Sequence, residues 1–504
     1  MRRQFFAATA TAAATALAVL PAATASAHDI HRTGSTSPGL DVPVATSPNV
    51  HLLTTVPDTA VISGVFARTG SYFYVSSTDT ISVYDTSNPA APVLKGTLPN
   101  LVFENEAMTY GERRNADGSL SRFVLVGVDL FQASAGDPQH VNVGGGEVLV
   151  VDVSDPGAPR IRSRVKATTS THTVTCLNAG NCNYAYTAGT RGNFSVIDLR
   201  NLDAPREAKV VASPAAGPNA VFTRGAGHDW DFDAAGLGWH TGSGGSASFN
   251  ISDPVNPRLM NATNAQGIAT PYNDFIHHNS MRPNAKAFRA GAPPSLANGN
   301  VLLVTEEDYA NDGEELACDQ AGTIQTWYVP SLTAATASPT KPSSGNIRPL
   351  DISNLPAQFG GGASTPVGGF CSAHWFDTHQ SGILAQGYYQ QGLRFVDVRD
   401  PRNIKQYGYF TGGLSEVWDA NWVPQRDAGG VDTGRKTNIV YGIDFAHGID
   451  VLCVNLPGQS TCPAGATATA SAAAPTRTLA MAMPLLGVLA LLGVATAVRR
   501  RQEH

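Results

Sequence analysis

One motif recurs along this chain and narrows its possible folds more than any other feature. Two apolar residues flank an Asp or Asn, a turn containing Pro follows, and a short strand-like run closes the unit. It reads VYDTSNPAAPVLKGTL from Val83, VVDVSDPGAPRIRSRV from Val150, VIDLRNLDAPREAKVV from Val196, SFNISDPVNPRLMNAT from Ser248 and FVDVRDPRNIKQYGYF from Phe395. Degenerate copies, QTWYVPS at 325–331 and IDVLCVN at 449–455, bring the number to seven. Before each copy stand two further strand-like runs, such as AHWFDTH with ILAQGYY ahead of Phe395. Alternating apolar residues, β-branched and aromatic enrichment and Gly or Asp-Pro punctuation make these strands and tight turns. A four-stranded antiparallel unit of roughly forty residues is a propeller blade. The expected fold is therefore all-β, a seven-bladed β-propeller.

The seventh copy lacks a fourth strand, because Pro457 and Gly458 follow Asn455 almost at once. Val50–Val56, VHLLTTV, is an orphan strand at the other end of the repeat region. The two deficits are complementary. Pairing them closes the ring through an N-terminal strand and leaves no open sheet edge.

The ends of the chain read differently. Arg2-Arg3, an apolar run from Phe5 to Leu20 and Ala25-Ser26-Ala27 make residues 1–27 an export signal. Its opening partly resembles a twin-arginine signal, and both export routes stay open. Residues 28–49 read as an extended lead-in, 50–462 as the propeller, and 463–478 as an Ala/Thr/Ser-rich linker. The apolar run 479–498 is long enough for a transmembrane helix, and Arg499-Arg500-Arg501 keeps the 499–504 tail cytoplasmic. The expected location is extracellular, anchored to the membrane by that helix. A net charge of −6, more negative once the basic ends are set aside, argues against nucleic acid as a partner. Six cysteines in an exported chain suggest three disulfides. Proximity favours Cys176–Cys182 and Cys453–Cys462, which leaves Cys318 with Cys371.

The runs LVVDVSDPGAP, SVIDLRNLDAP and RFVDVRDPRN resemble the LVIVD-repeat proteins, exported propellers of bacteria and archaea whose activity is mostly unassigned. The resemblance extends over Val50 to Asn455 and implies architecture more than function. IHHNSMRPN with VLLVTEEDY also looks distantly like the selenium-binding-protein (methanethiol oxidase) propellers. That likeness implies metal-coordinating His and Glu.

Histidines are unevenly placed. His172, His228, His277, His278 and His374 fall near the start of the innermost strands of blades three to six. Glu106 and Trp418 take the corresponding places in blades two and seven. In that register they ring one mouth of the central channel and could bind copper, zinc, iron or manganese. Glu306 and Glu307 stand in the next strand of blade five, where they could join or orient the imidazoles. The same residues could equally be wet-channel polar side chains. The acidic run Glu306, Glu307, Asp308, Asp312, Glu314 and Glu315 could hold calcium, though a solvated loop suits its composition better. No HExxH or nucleophile-elbow signature supports a protease or esterase. Two functions follow from these features. One is a surface binding module for a protein, small-molecule or glycan ligand. The alternative is a metal-dependent oxidase or hydrolase with its metal at the channel mouth.

Overall fold

The computed structural model describes residues 44–463 apart from 59, 100–105, 129–145, 190–191, 213–226, 265–270, 274, 309–321, 334–345, 355–371, 414 and 460. The expected export signal, the 479–498 span, Cys318 with Cys371, and Asp312, Glu314 and Glu315 all lie outside the described residues. Among the described residues, no helix is long and apolar enough to cross a membrane.

Among the described residues, seven antiparallel sheets follow one another along the chain, and blades one to six each join four sequence-adjacent strands in order from inside to outside. The innermost strands are Val61–Phe66, Thr109–Arg114, Thr173–Cys176, Gly227–Phe232, Ile276–Met281, Phe376–Thr378 and Val417–Arg426. The seven repeat copies are the third strands, from Thr80–Asp85 in blade one to Gly448–Val454 in blade seven. Val50–Pro57 pairs antiparallel with Gly448–Val454, from Val50 opposite Val454 to Pro57 opposite Gly448. The orphan strand thus closes the ring, as its sequence predicts. The lead-in contributes one element of its own. Val44–Thr46 adds a fifth strand to blade six by pairing with Lys405–Gly412.

The turn chemistry of the repeat is local and uniform. The Asp or Asn ending the third strand accepts a hydrogen bond from the backbone N–H two residues on. This holds for Asp85 with Ser87, Asp152 with Ser154, Asp198 with Arg200, Asn250 with Ser252, and Asp397 with Arg399, at 2.9–3.1 Å. Such a side-chain cap holds the turn that Pro then rigidifies. In all seven blades, a bulge interrupts the pairing of the third and fourth strands. Bulges sharpen the right-handed twist, which each blade needs in order to stack on its neighbours around a ring.

Both faces of each sheet are covered, so strands such as Val301–Glu307 are buried at every position. The packing between blades is carried by large side chains. Trp422 of blade seven meets Phe395 of blade six at 5.8 Å. Tyr186 and Phe194 of blade three meet Trp230 of blade four at 5.0 and 4.7 Å. The Cys176–Cys182 and Cys453–Cys462 disulfides form as proximity suggests.

Asp198 shows what the repeat Asp contributes energetically. Arg200 donates to both of its oxygens, at 2.9 and 2.7 Å, and Arg206 adds a third bond at 3.1 Å. The Arg200 hydrogen bonds hold the Asp198 carboxyl at about 2, below its ordinary 3.8. A carboxyl depressed on folding stabilises the protein above its unfolded pKa, and that contribution fades as pH falls through the folded value. Asp198→Asn should therefore destabilise the protein at pH 7 by about 1 kcal/mol, a modest figure because the arginines are solvent-screened. The gap between variant and wild type should close between roughly pH 4 and pH 2. Chemical denaturation across that range reads it directly; a gap that persists at pH 2 removes Asp198 as the cause.

Candidate metal centre

The histidines that lead the innermost strands owe their direction to irregular backbone. In blade four, the pairing of Gly227–Phe232 breaks between Gly227 and Trp230, and His228 lies in that break. In blade five it breaks between His277 and Ser280, around His278. In blade seven it breaks between Val417 and Asp419, around Trp418. A bulge re-aims one side chain out of the alternating pattern. His172 and His374 reach the same place from the residues just ahead of their strands.

The result is a cluster around Glu106. Its Oε1 lies 2.9 Å from His278 Nε2 and 2.8 Å from His374 Nε2. Its Oε2 contacts His172 Nε2 and stands 3.7 Å from His228 Nε2. His172 Nε2 and His228 Nε2 are 3.2 Å apart. Glu307 completes the group, 3.6 Å from His374 Nε2 and 4.0 Å from His278 Nε2. All of these side chains are buried except His172, which keeps 21% of its surface and marks the side open to solvent.

Two of the imidazoles are braced from behind. His228 Nδ1 lies 2.9 Å from the carbonyl of His278, and His374 Nδ1 lies 2.6 Å from the carbonyl of Trp418. A carbonyl only accepts, so each Nδ1 carries the proton. In neutral His228 the lone pair is then at Nε2, facing the cluster, whereas His374 Nε2 lies 2.8 Å from the Glu106 carboxylate and donates to it. Metal-ligating histidines are oriented in this way. Burial, aided by the neighbouring imidazoles, holds His228 well below 6.5 and brings His278 to about 3, so both rings are neutral at physiological pH. For His374, burial acts downward, but the Glu106 hydrogen bond and the Glu307 charge outweigh it and raise the pKa. Burial also opposes ionisation of Glu106, yet the facing imidazoles hold it well below 4.5. The centre therefore gathers the carboxyl groups of Glu106 and Glu307 and four imidazoles in a largely buried space.

Two expected ligands are not there. His277 turns the other way, its Nδ1 2.7 Å from Ser246 Oγ and its Nε2 2.6 Å from the Tyr272 carbonyl. Glu306 accepts hydrogen bonds from Phe275 N–H, Thr323 Oγ1 and Gln325 Nε2 at 2.9–3.2 Å. The reason is pleat. His277 sits opposite Glu306 in the ladder, so the pair shares one face, while the bulged His278 faces Glu106 and Glu307 faces His374. Glu307 serves where Glu306 was expected, which also draws it away from the acidic-loop calcium reading. His379 hydrogen-bonds to Ser381 and is not among the side chains around Glu106. Trp418 stands edge-on to His374 at 5.1 Å.

Two aromatic residues at the site carry no sequence signal. Trp375 lies 4.7 Å from the His278 ring. Tyr389 packs 4.7 Å from His374, and its hydroxyl hydrogen-bonds Glu307. Tyr389 has φ 43°, a left-handed conformation uncommon for a bulky residue. Reciprocal backbone hydrogen bonds of 2.9 Å with Val417 hold it there. Nothing in the pair Tyr388-Tyr389 announces such a turn.

Fold and repeat together define a β-propeller interaction scaffold. Residues 67–99 and 136–167 match the family model of the LVIVD repeat, and the described residues form a seven-bladed β-propeller. No curated protein matches it. Among solved structures, it is similar to the β-propeller domain of Myceliophteria thermophila Cps50 (Swd1), with a TM-score of 0.50 and 14% identity. That match covers 82% of this chain and 100% of the other, and at such identity it shows the fold alone. The likeness to selenium-binding-protein propellers gains no support from these comparisons.

Proposed function

We propose that this chain is a metal-dependent propeller, with a divalent transition ion at the channel mouth held by His172, His228, His278, His374 and Glu106. One observation carries the reading: imidazoles from four consecutive blades turn their Nε2 atoms toward one carboxylate in a buried space. Nitrogen donors with one or two carboxylates suit zinc, copper, iron or manganese. A divalent charge also offsets the cost of burying Glu106 and Glu307 together. Glu307, held by Tyr389, faces His278 and His374 and orients them. The half-open side at His172 is where a small ligand or water reaches the ion, which supplies Lewis acidity there. The export signal and the apolar 479–498 run support a site displayed outside the membrane.

The test is metal content. Full chain purified without chelators should carry a stoichiometric transition ion at this centre. A His228→Ala/His278→Ala variant should lose one ion per chain while keeping its β circular dichroism. Equal metal content in variant and wild type would remove the channel centre from consideration.

A further inference from the structure

A second group of ligand-type side chains lies in blade seven, outside the channel cluster. Asp444 ends one strand of the hairpin Asp432–Asp444 and Gly448–Val454, His447 sits in its turn, and Asp450 begins the return. One ligand atom from each lies within 4.8 Å of the other two. Both carboxylates divide their oxygens in the same way. Asp444 Oδ1 accepts the backbone N–H groups of Glu416 and Ala446, at 3.1 and 2.8 Å. Asp450 Oδ1 accepts the Thr55 hydroxyl at 2.7 Å. The two Oδ2 atoms are buried and have no hydrogen-bond partner. Asp444 Oδ2 stands 3.0 Å from His447 Nε2, and Asp450 Oδ2 stands 3.7 Å from His447 Nδ1.

We infer that Asp444, His447 and Asp450 form a second metal site, for a zinc-like divalent ion. Two ligands about 2.0 Å from a tetrahedral ion stand roughly 3.3 Å apart, close to the Asp444–His447 spacing. Two buried carboxylate oxygens that share one facing imidazole are costly, and a cation relieves both at once. The oxygens used structurally fix the aim of those that would bind, the role that outer hydrogen bonds play at metal sites. His447 keeps 26% of its side-chain surface, so an ion can enter from solvent. Three protein ligands leave a position for water. Thr55 belongs to the closing strand, so the site is complete only when the ring is shut. Zinc binding there should therefore stabilise closure by mass action.

The experiment uses the full chain, stripped of metal and titrated with zinc chloride alone. Binding stoichiometry and thermal unfolding are followed for wild type, His447→Gln and Asp450→Asn. His447 is partly exposed, so His447→Gln should fold normally, and it should bind one zinc fewer than wild type. Both variants should lose part of the zinc-induced rise in Tm. A His447→Gln protein that binds as many zinc ions as wild type overturns the assignment, as does a wild type whose only zinc is lost in His228→Ala/His278→Ala. Because the two variant sets remove different ions, failure of the channel centre and failure of this site read separately.

Discussion

Glu106→Gln is expected to lower the affinity of the channel centre for a transition ion by at least about 100-fold, with the fold unchanged. The amide keeps nearly the size of the carboxylate but loses the charge and one acceptor oxygen. In the native chain Glu106 contacts all four imidazoles, His278 and His374 through one oxygen, His172 and His228 through the other. No conservative change elsewhere reaches every ligand. Competition titration against a chromophoric chelator measures the affinity, and circular dichroism with thermal unfolding controls for folding. The same variant separates a metal centre from a purely structural polar network. If Glu106 only satisfies imidazoles, Gln should lower the Tm of metal-free protein and leave metal uptake within a few-fold of wild type. If it helps hold an ion, the Tm rise caused by saturating metal should shrink, since stabilisation by a bound ligand follows its affinity. That rise corresponds to about 2.7 kcal/mol at a hundred times the dissociation constant.

Deleting Val50–Pro57 is the second large effect, and it acts on the whole molecule. The strand contributes the outer ladder of blade seven along Gly448–Val454. Val50 is buried in the core shared by blades six and seven, and Leu52 packs against it. Without the strand, Gly448–Val454 becomes an exposed and strongly apolar edge, the kind that pairs with other chains. The loss is expected to be comparable to the global stability of a domain, about 5–15 kcal/mol. The deleted chain should therefore aggregate or unfold broadly, without a single sharp transition. Supplying residues 50–57 as a separate peptide should partly restore the transition. A deletion protein that melts within a few degrees of the full chain would refute closure through this strand.

The blades were legible because their signals are local. An Asp or Asn whose side chain caps the N–H two residues on needs no distant partner, so Asp85, Asp152, Asp198, Asn250 and Asp397 mark their turns wherever they stand. The missing fourth strand was legible for a related reason. Seven third strands with six fourth strands beside them leave one vacancy, and Val50–Val56 was the one strand without a sheet. Histidines at the starts of innermost strands pointed to one shared place, and His172, His228, His278 and His374 meet around Glu106. The choice between neighbours was not legible. Whether His277 or His278, Glu306 or Glu307, faces the channel depends on a one-residue bulge between His277 and Ser280. Alternation alone fixes side chains relative to one another, never relative to a distant axis.

By itself, then, the sequence determined the architecture: the repeat, its seven-fold count, the closing strand and the two disulfides at 176–182 and 453–462. These rest on propensity, turn chemistry and short separations, which act within a few residues. The tertiary structure alone decided the two side-chain clusters. It swung Glu106 across the channel to residues up to 268 positions away, placed strained Tyr389 on Glu307, and set Asp444, His447 and Asp450 around one point beside Thr55, 395 positions from Asp450. Convergence of that kind comes from the closed ring, which brings the starts of all the innermost strands to one axis and seats the first strand of the propeller against its last.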